Sequence, residues 1–306
     1  MTPSVPYRTL ASYLRKRLGC KAVKICLDGG FTCPNRDGTL ARGGCRFCSE
    51  RGAGEFAAGA EAGITEAVRA RLAEPLGGRR ADRYIAYFQS FTGTYAPVDV
   101  LRRRYDAALC DPRIVGLAVA TRPDCITEQV ADLLASYAAR LYVSVELGLQ
   151  TASDEVAARL NIACPREAFS RAARMLADRG IDTVAHLMVG LPTEGPSEAL
   201  ETMTLINRTP VTGVKIHSLY LTKGSALAED YLRGEYTPLS RKEYTDTVAL
   251  LLAHARAALV IHRLTGDPPK ETLLAPMWCT DKRTVLDEIT QKMKEKGWHQ
   301  GCLYTE

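Results

Sequence analysis

Ala22-Val23-Lys24-Ile25-Cys26-Leu27 runs directly into Asp28-Gly29-Gly30-Phe31-Thr32-Cys33-Pro34-Asn35-Arg36-Asp37-Gly38, and shortly afterwards into Gly43-Gly44-Cys45-Arg46-Phe47-Cys48. Five of the first six residues are apolar, two of them β-branched, with Gly19 and Gly29 on either side, which predicts a buried strand. The loop behind it is polar and glycine-rich and carries three cysteines as C-x11-C-x2-C. A dinucleotide-binding sheet would place G-x-G-x-x-G in that position. Its replacement by a cysteine loop turns the reading away from a doubly wound sheet and toward a barrel.

Three thiolates in one loop suit a [4Fe–4S] cluster held by three irons, with the fourth iron open for chemistry. The alternatives are a zinc site with Cys26 as fourth ligand and cysteines that ligate nothing. Structural zinc more often uses two paired knuckles or a Cys/His combination. Unligated cysteines are commoner in cores than in polar loops.

Working outward, short apolar runs alternate with amphipathic ones. Strands are expected at 22–27, 84–88, 115–120, 141–147, 183–189 and 214–220, and helices at 64–73, 98–109, 128–138, 167–179 and 197–207. Near-continuous apolar strands separated by helices imply parallel strands covered on both faces. The expected fold is α/β, a partial (β/α)6 TIM-like barrel. Pro165 and Gly180 punctuate the fourth of these helices at its two ends. Leu191-Pro192-Thr193-Glu194-Gly195-Pro196 forms a strand-to-helix turn whose prolines let neither element continue. The core is expected over 1–225. A C-terminal helical extension packed on the barrel follows over 226–306, with a helix at 241–258, a strand at 260–264, a loop at 266–269 and a polar helix at 282–296.

Composition narrows the class. The chain has 306 residues, 46% of them hydrophobic and 25% charged, with ten cysteines. No apolar run approaches the roughly 20 residues needed to span a bilayer, and the start reads as polar, without a signal-peptide segment. Seven of the cysteines are scattered without paired spacing, so a reducing cytoplasm is expected rather than a secreted disulfide scaffold. The formal charge of +5 comes with short basic runs at Arg15-Lys16-Arg17, Arg79-Arg80 and Arg102-Arg103-Arg104. These read as solvated helix faces rather than a nucleic-acid footprint, since no aromatics interleave them.

The cysteine segment resembles the radical S-adenosylmethionine superfamily, in particular its YhcC-like branch. The likeness continues through Tyr87-Phe88-Gln89, Thr94-Tyr95-Ala96-Pro97, Thr121-Arg122-Pro123-Asp124, Glu146-Leu147-Gly148-Leu149-Gln150-Thr151, His186-Leu187-Met188-Val189-Gly190-Leu191-Pro192, Lys215-Ile216-His217-Ser218-Leu219-Tyr220 and His262-Arg263-Leu264-Thr265-Gly266-Asp267-Pro268-Pro269. Wider relatives include the Elongator catalytic subunit and oxygen-independent coproporphyrinogen oxidase. The resemblance implies an enzyme with a [4Fe–4S] cluster on Cys33, Cys45 and Cys48 and S-adenosylmethionine on the open iron. Reductive cleavage of that cofactor would release a 5′-deoxyadenosyl radical for hydrogen abstraction.

The same resemblance implies Phe47 beside the adenine and Gln89 and Thr92 in the loop that holds the methionyl amino group. It also implies Glu146 and Gln150 as ribose or methionyl contacts, with His186 at the next strand end. Glu146 and Gln150 are expected to point the same way because strand side chains repeat every two residues. One departure stands out. Relatives carry an arginine in the turn that here reads Leu160-Asn161-Ile162-Ala163-Cys164, so Arg159 or another basic side chain is expected to replace it. Cys164 and Cys279 are expected to be structural. His217, Tyr220, Lys223, His262, Arg263, Asp267 and Lys270 are candidates to read the substrate or to cap and pair. The partners implied are an unidentified substrate, a small molecule or an RNA, and an electron donor such as flavodoxin or ferredoxin, with no membrane. The competing class is a non-catalytic Fe–S and S-adenosylmethionine sensor, or an RNA-interacting protein.

Overall fold

The computed structural model describes residues 5–52, 54, 57, 63–74 and 81–305; the Arg79-Arg80 pair lies outside them. The strands are β1 (Ala22–Leu27), β2 (Arg83–Phe88), β3 (Ile114–Thr121), β4 (Tyr142–Gln150), β5 (Asp182–Val189), β6 (Gly213–Ser218), β7 (Leu221–Thr222), β8 (Val260–Arg263) and β9 (Leu273–Ala275). The helices are α1 (Leu10–Leu18), α2 (Ile64–Ala73), α3 (Val98–Ala108), α4 (Glu128–Ala138), α5 (Asp154–Arg159), α6 (Arg166–Ala177), α7 (Pro196–Arg208), α8 (Ala226–Leu232), α9 (Arg241–His254) and α10 (Lys282–Glu295).

A seven-stranded sheet runs β1-β2-β3-β4-β5-β6-β8, every neighbouring pair parallel, and β7 pairs antiparallel with β9 apart from it. The α/β, TIM-like partial barrel is therefore as expected, with one strand more than the six counted. That strand comes from the region read as an extension: β8 joins β6 in the sheet itself, Gly213 opposite Val260. The helix that precedes it stops at His254, short of 258.

Alternation along the strands explains why both faces are covered. Ile25, Leu27, Phe88, Leu117, Val119, Val145, Leu147, Leu187, Val214 and Ile216 face the helices and share the main core. Alternate residues point the other way. Ile85, Tyr87, Ala118, Ala120 and Tyr142 form a separate inner core with Leu14 of α1.

Helix α1 escaped the periodicity reading because a nine-residue helix gives little pattern to detect, yet it fills the amino-terminal end of the half-barrel. It packs against both edge strands, β1 and β8, and Thr9 just before it bridges Ile261 in parallel. Tyr13 donates to Asp182 Oδ2 at 2.5 Å. Thr9 caps the helix through Ser12 N, and Gly19 ends it in the left-handed region at φ 69°. Arg15, Lys16 and Arg17 stand exposed in its last turn, where positive charge complements the helix dipole. With one end of the half-barrel plugged, the carboxyl ends of the strands are left to form a cavity.

The 191–196 turn carries the first testable consequence. Glu194 accepts a hydrogen bond from Thr151 Oγ1, and burial, with help from the nearby carboxylates Glu198 and Glu201, pushes its carboxyl up to about 7. The folded value lies above the unfolded one. Folded protein therefore holds a proton that unfolded chain has already released, and stability from this group is lost as pH rises from about 4.5 to about 7. Glu194→Gln keeps an acceptor for Thr151 and cannot ionise. It should stabilise the protein by about 1–2 kcal/mol at pH 8 and leave it unchanged at pH 4, read by urea unfolding at both. Equal effects at the two pH values would refute the assignment.

Candidate active site

A cavity of about 830 Å³ opens at the carboxyl ends of the strands, and Cys33, Cys45 and Cys48 all line it. The loop is wound by short backbone turns. Arg36 N and Asp37 N donate to Cys33 O at 2.8 and 3.1 Å, and Cys48 N donates to Cys45 O at 2.9 Å. Gly44, at φ 80°, turns where a Cβ would come within 2.8 Å of the Arg36 side chain.

The loop is also clamped from outside. Fully buried Asn35 donates from Nδ2 to Asn161 O at 2.6 Å and lies 3.5 Å from Cys45 Sγ. Asn161, itself left-handed at φ 54°, donates back to Gly44 O at 2.8 Å and to Arg42 O at 3.2 Å. Arg46 grips Asp230 of α8 at 2.6 and 2.5 Å, so the C-terminal region holds the cysteine loop from its other side. Sequence reasoning missed the Asn161 clamp. The signal available was an asparagine in a turn, one of the few non-glycine residues that readily adopt left-handed backbone.

These residues fit an iron–sulfur cluster. Three cysteines line one cavity, and an amide N–H stands at one of their sulfurs. Cys26 also lines the cavity, from the inner face of β1, where it packs against the inner core around α1.

Phe47, Gln89, Thr92, Glu146, Gln150 and His186 all line the same cavity. Glu146 differs from expectation in being already engaged. It is 1% exposed and accepts from Lys24, from Tyr87 OH at 2.6 Å, from His186 Nε2 at 2.7 Å and from Lys215 Nζ at 3.0 Å. Four donors saturate two oxygens, so Glu146 knits β1, β2, β5 and β6 together across the barrel. Its carboxyl stays well below the usual range, because the two ammonium groups and His186 outweigh the cost of burial. His186 is pushed down to about 4 by burial and by the Lys215 charge, so its ring is neutral and its Nε2–H donates.

Gln150 departs from simple alternation. The β4–β5 register slips between Gly148 and Gln150, and Gln150 takes φ 67°. Such a bulge re-aims a side chain at a strand end. In the loop after β2, Phe91 at φ 56° makes the turn with the Arg36 guanidinium 5.5 Å from its ring centroid. Thr92 N donates to Thr32 O at 3.2 Å, tying this loop to the residue before Cys33.

The Ile162 departure has a packing explanation. Ile162 is 8% exposed and belongs to a cluster with Val156, Leu160, Met188 and Leu191. Arg159 does not replace the missing arginine; it pairs with Glu155 at 2.8 Å on the exposed face of α5. The guanidinium beside this turn is Arg122, which lines the cavity, forks onto Asp124 at 3.0 and 2.7 Å and donates to Ala163 O.

Cys164 and Cys279 also line the cavity, and burial pushes both thiols up to about 11. Of the substrate-reading candidates, His217, Tyr220, Arg263, Asp267 and Lys270 line the cavity. His262 is half-buried on β8 and does not line the cavity; its Nε2 stands 2.8 Å from where a Cβ on Gly213 would lie, and Lys223 is not part of the wall.

Comparison with known proteins agrees with this geometry. The Radical SAM superfamily model matches residues 33–206 and the Radical_SAM C-terminal domain model matches 211–295. The uncharacterized protein YtqA of Bacillus subtilis is 40% identical over 301 residues, covering 97% of this chain and 92% of its own. Protein YhcC of Escherichia coli is 40% identical over 292 residues, covering 95% and 93%. The solved structure of Methanocaldococcus infernus Elp3 with an N-terminal deletion superposes with a TM-score of 0.69 at 17% identity, over 91% of this chain and 64% of that longer one. That likeness shows the shared fold. With a family model spanning more than half the chain and two relatives at 40% identity over nearly its full length, this protein belongs to the Radical SAM superfamily.

Proposed function

We propose that the protein is a radical S-adenosylmethionine enzyme in which Cys33, Cys45 and Cys48 hold a [4Fe–4S] cluster. The carrying observation is that these three cysteines, from one clamped loop, line a single cavity with the polar inner faces of the strands. When bound, the cluster supplies the electron that cleaves S-adenosylmethionine to methionine and a 5′-deoxyadenosyl radical, which takes a hydrogen atom from the substrate.

The chain's own residues position and shelter. Phe47 offers a ring to the adenine, and Gln89, Thr92 and Gln150 offer polar contacts at the rim. Arg122 keeps Nη1 after its bonds to Asp124 and Ala163, which leaves two N–H donors for the cofactor carboxylate. Ile162, Met188 and Ala120 give that wall an apolar surface, as a carbon radical demands of its surroundings. All ten cysteines are free thiols, which fits a reducing cytoplasm; a flavodoxin or ferredoxin is the electron donor proposed. Among the described residues no helix is long and apolar enough to cross a membrane.

The test is anaerobic reconstitution followed by dithionite and S-adenosylmethionine. A brown protein that forms 5′-deoxyadenosine is expected. An intact cluster with no product would leave the sensor reading in its place, and a colourless zinc protein would overturn both.

A further inference from the structure

The floor of the cavity carries more positive charge than its own carboxylates neutralise. Glu146 supplies one negative charge to two ammonium groups, Lys24 and Lys215, while its third basic neighbour, His186, is neutral. Nearer the mouth, Arg263 and Lys282 share the single carboxylate of Asp267 at 2.7 and 3.1 Å. At this end of the cavity Lys215, Arg263, Lys270 and Lys282 face Glu146, Asp267 and Glu271, and Lys24 adds a further positive charge to Glu146 from behind the wall. The part of the surplus at Glu146 is deeply buried, the Lys215 side chain 9% exposed and Glu146 1%, whereas Arg263 and Lys282 are 26% and 47% exposed. Charge left unpaired at that depth is costly, and a protein retains it where a ligand completes the pair.

Lys215 is the cation best placed to meet one. It lines the cavity, whereas Lys24 reaches Glu146 from outside the wall. Two of its three ammonium protons go to Glu146 Oε2 at 3.0 Å and Tyr87 OH at 3.2 Å, so a third remains. Burial draws Lys215 down to about 8, with Arg263 and Lys24 adding repulsion. Arg122, which the cofactor carboxylate would use, sits elsewhere: it bonds the 160–164 turn and shares its surroundings with Cys33 and Cys164.

Building on the radical reading above, we propose that the substrate carries an anionic group, a carboxylate or a phosphate, that docks on Lys215 with Arg263 beside it and places the rest of the molecule toward the cysteine loop. The anion completes the charge balance of the floor and fixes which carbon of the substrate is presented.

The experiment is calorimetric titration of inorganic phosphate, and separately of glutarate, into cluster-loaded protein with S-adenosylmethionine bound. Saturable binding of at least one is expected, and the better binder names the chemistry. Lys215→Met should weaken it tenfold or more and Lys215→Arg much less. Arg263→Gln leaves the Glu146 layer whole and should also weaken it, so it carries the test should Lys215→Met fail to fold. Absence of saturable binding for both anions, or equal affinity in Lys215→Met, overturns the proposal. So does a Lys215→Met variant that loses affinity for S-adenosylmethionine while still binding the anion, because Lys215 would then serve the cofactor. The heat is read without turnover. A protein that binds the anion but forms no 5′-deoxyadenosine fails the radical reading alone, and one that forms it without binding either anion fails this proposal alone.

Discussion

Cys45→Ala should abolish cluster assembly, taking iron from about four atoms per chain to near none, whereas Cys20→Ala and Cys110→Ala should keep the full complement. The expectation follows from where each sulfur lies. Cys45 lines the cavity with Cys33 and Cys48 and faces the Asn35 amide at 3.5 Å. Cys20 follows α1 at the opposite end of the half-barrel, and Cys110 is exposed beyond α3. Three thiolates are the minimum that holds a cube with one open iron, so losing one leaves two points of attachment and a cluster open to solvent. Iron and sulfide analysis of anaerobically purified variants decides the matter. Equal loss in all three variants would mean that the cysteines act through folding rather than ligation.

The second large effect is expected at Glu146. Glu146→Ala leaves Lys24 and Lys215 facing each other in the barrel with no counter-charge, and breaking a buried pair in this way costs about 3–5 kcal/mol. A lowering of the melting temperature by roughly 10 °C follows. Tyr87 and His186 lose their acceptor at the same time. The variant has a signature that a simple packing defect lacks. The penalty comes from keeping Lys215 protonated where burial depresses its folded value below the unfolded one, so it is fully present below the folded value and vanishes as pH climbs to the unfolded value. Unfolding in urea should therefore show a larger loss at pH 7 than at about pH 9.5. Glu146→Leu combined with Lys215→Met should recover part of the loss, because apolar groups of similar volume substitute for a buried ion pair better than a broken pair does. A Glu146→Ala protein as stable as one carrying Glu155→Ala on the exposed face of α5 would show that the network does not brace the barrel.

Much of this architecture is legible in the chain before any folding is considered. The strands at 22–27 and 183–189 appear within a residue of their expected bounds because apolar alternation is a local property. Cys33, Cys45 and Cys48 are legible for the same reason, since their spacing lies within one loop. Ile162 could be recognised as a departure from relatives, although not as the packing residue it is, because its neighbours Met188 and Leu191 come from another element.

By itself, then, the order of residues determined the alternation of strand and helix, the cysteine loop and membership of the family, all of which are written in contiguous or closely spaced positions. Only the tertiary structure decided that β8 joins the sheet, that α1 plugs its lower end and that Asn161 clamps the loop. It alone decided that Lys24, Tyr87, His186 and Lys215 converge on Glu146. Those groups lie on five strands, up to 191 residues apart between Lys24 and Lys215. Which inward side chains meet is set by the register of one strand against the next, and no local pattern in the chain carries that register.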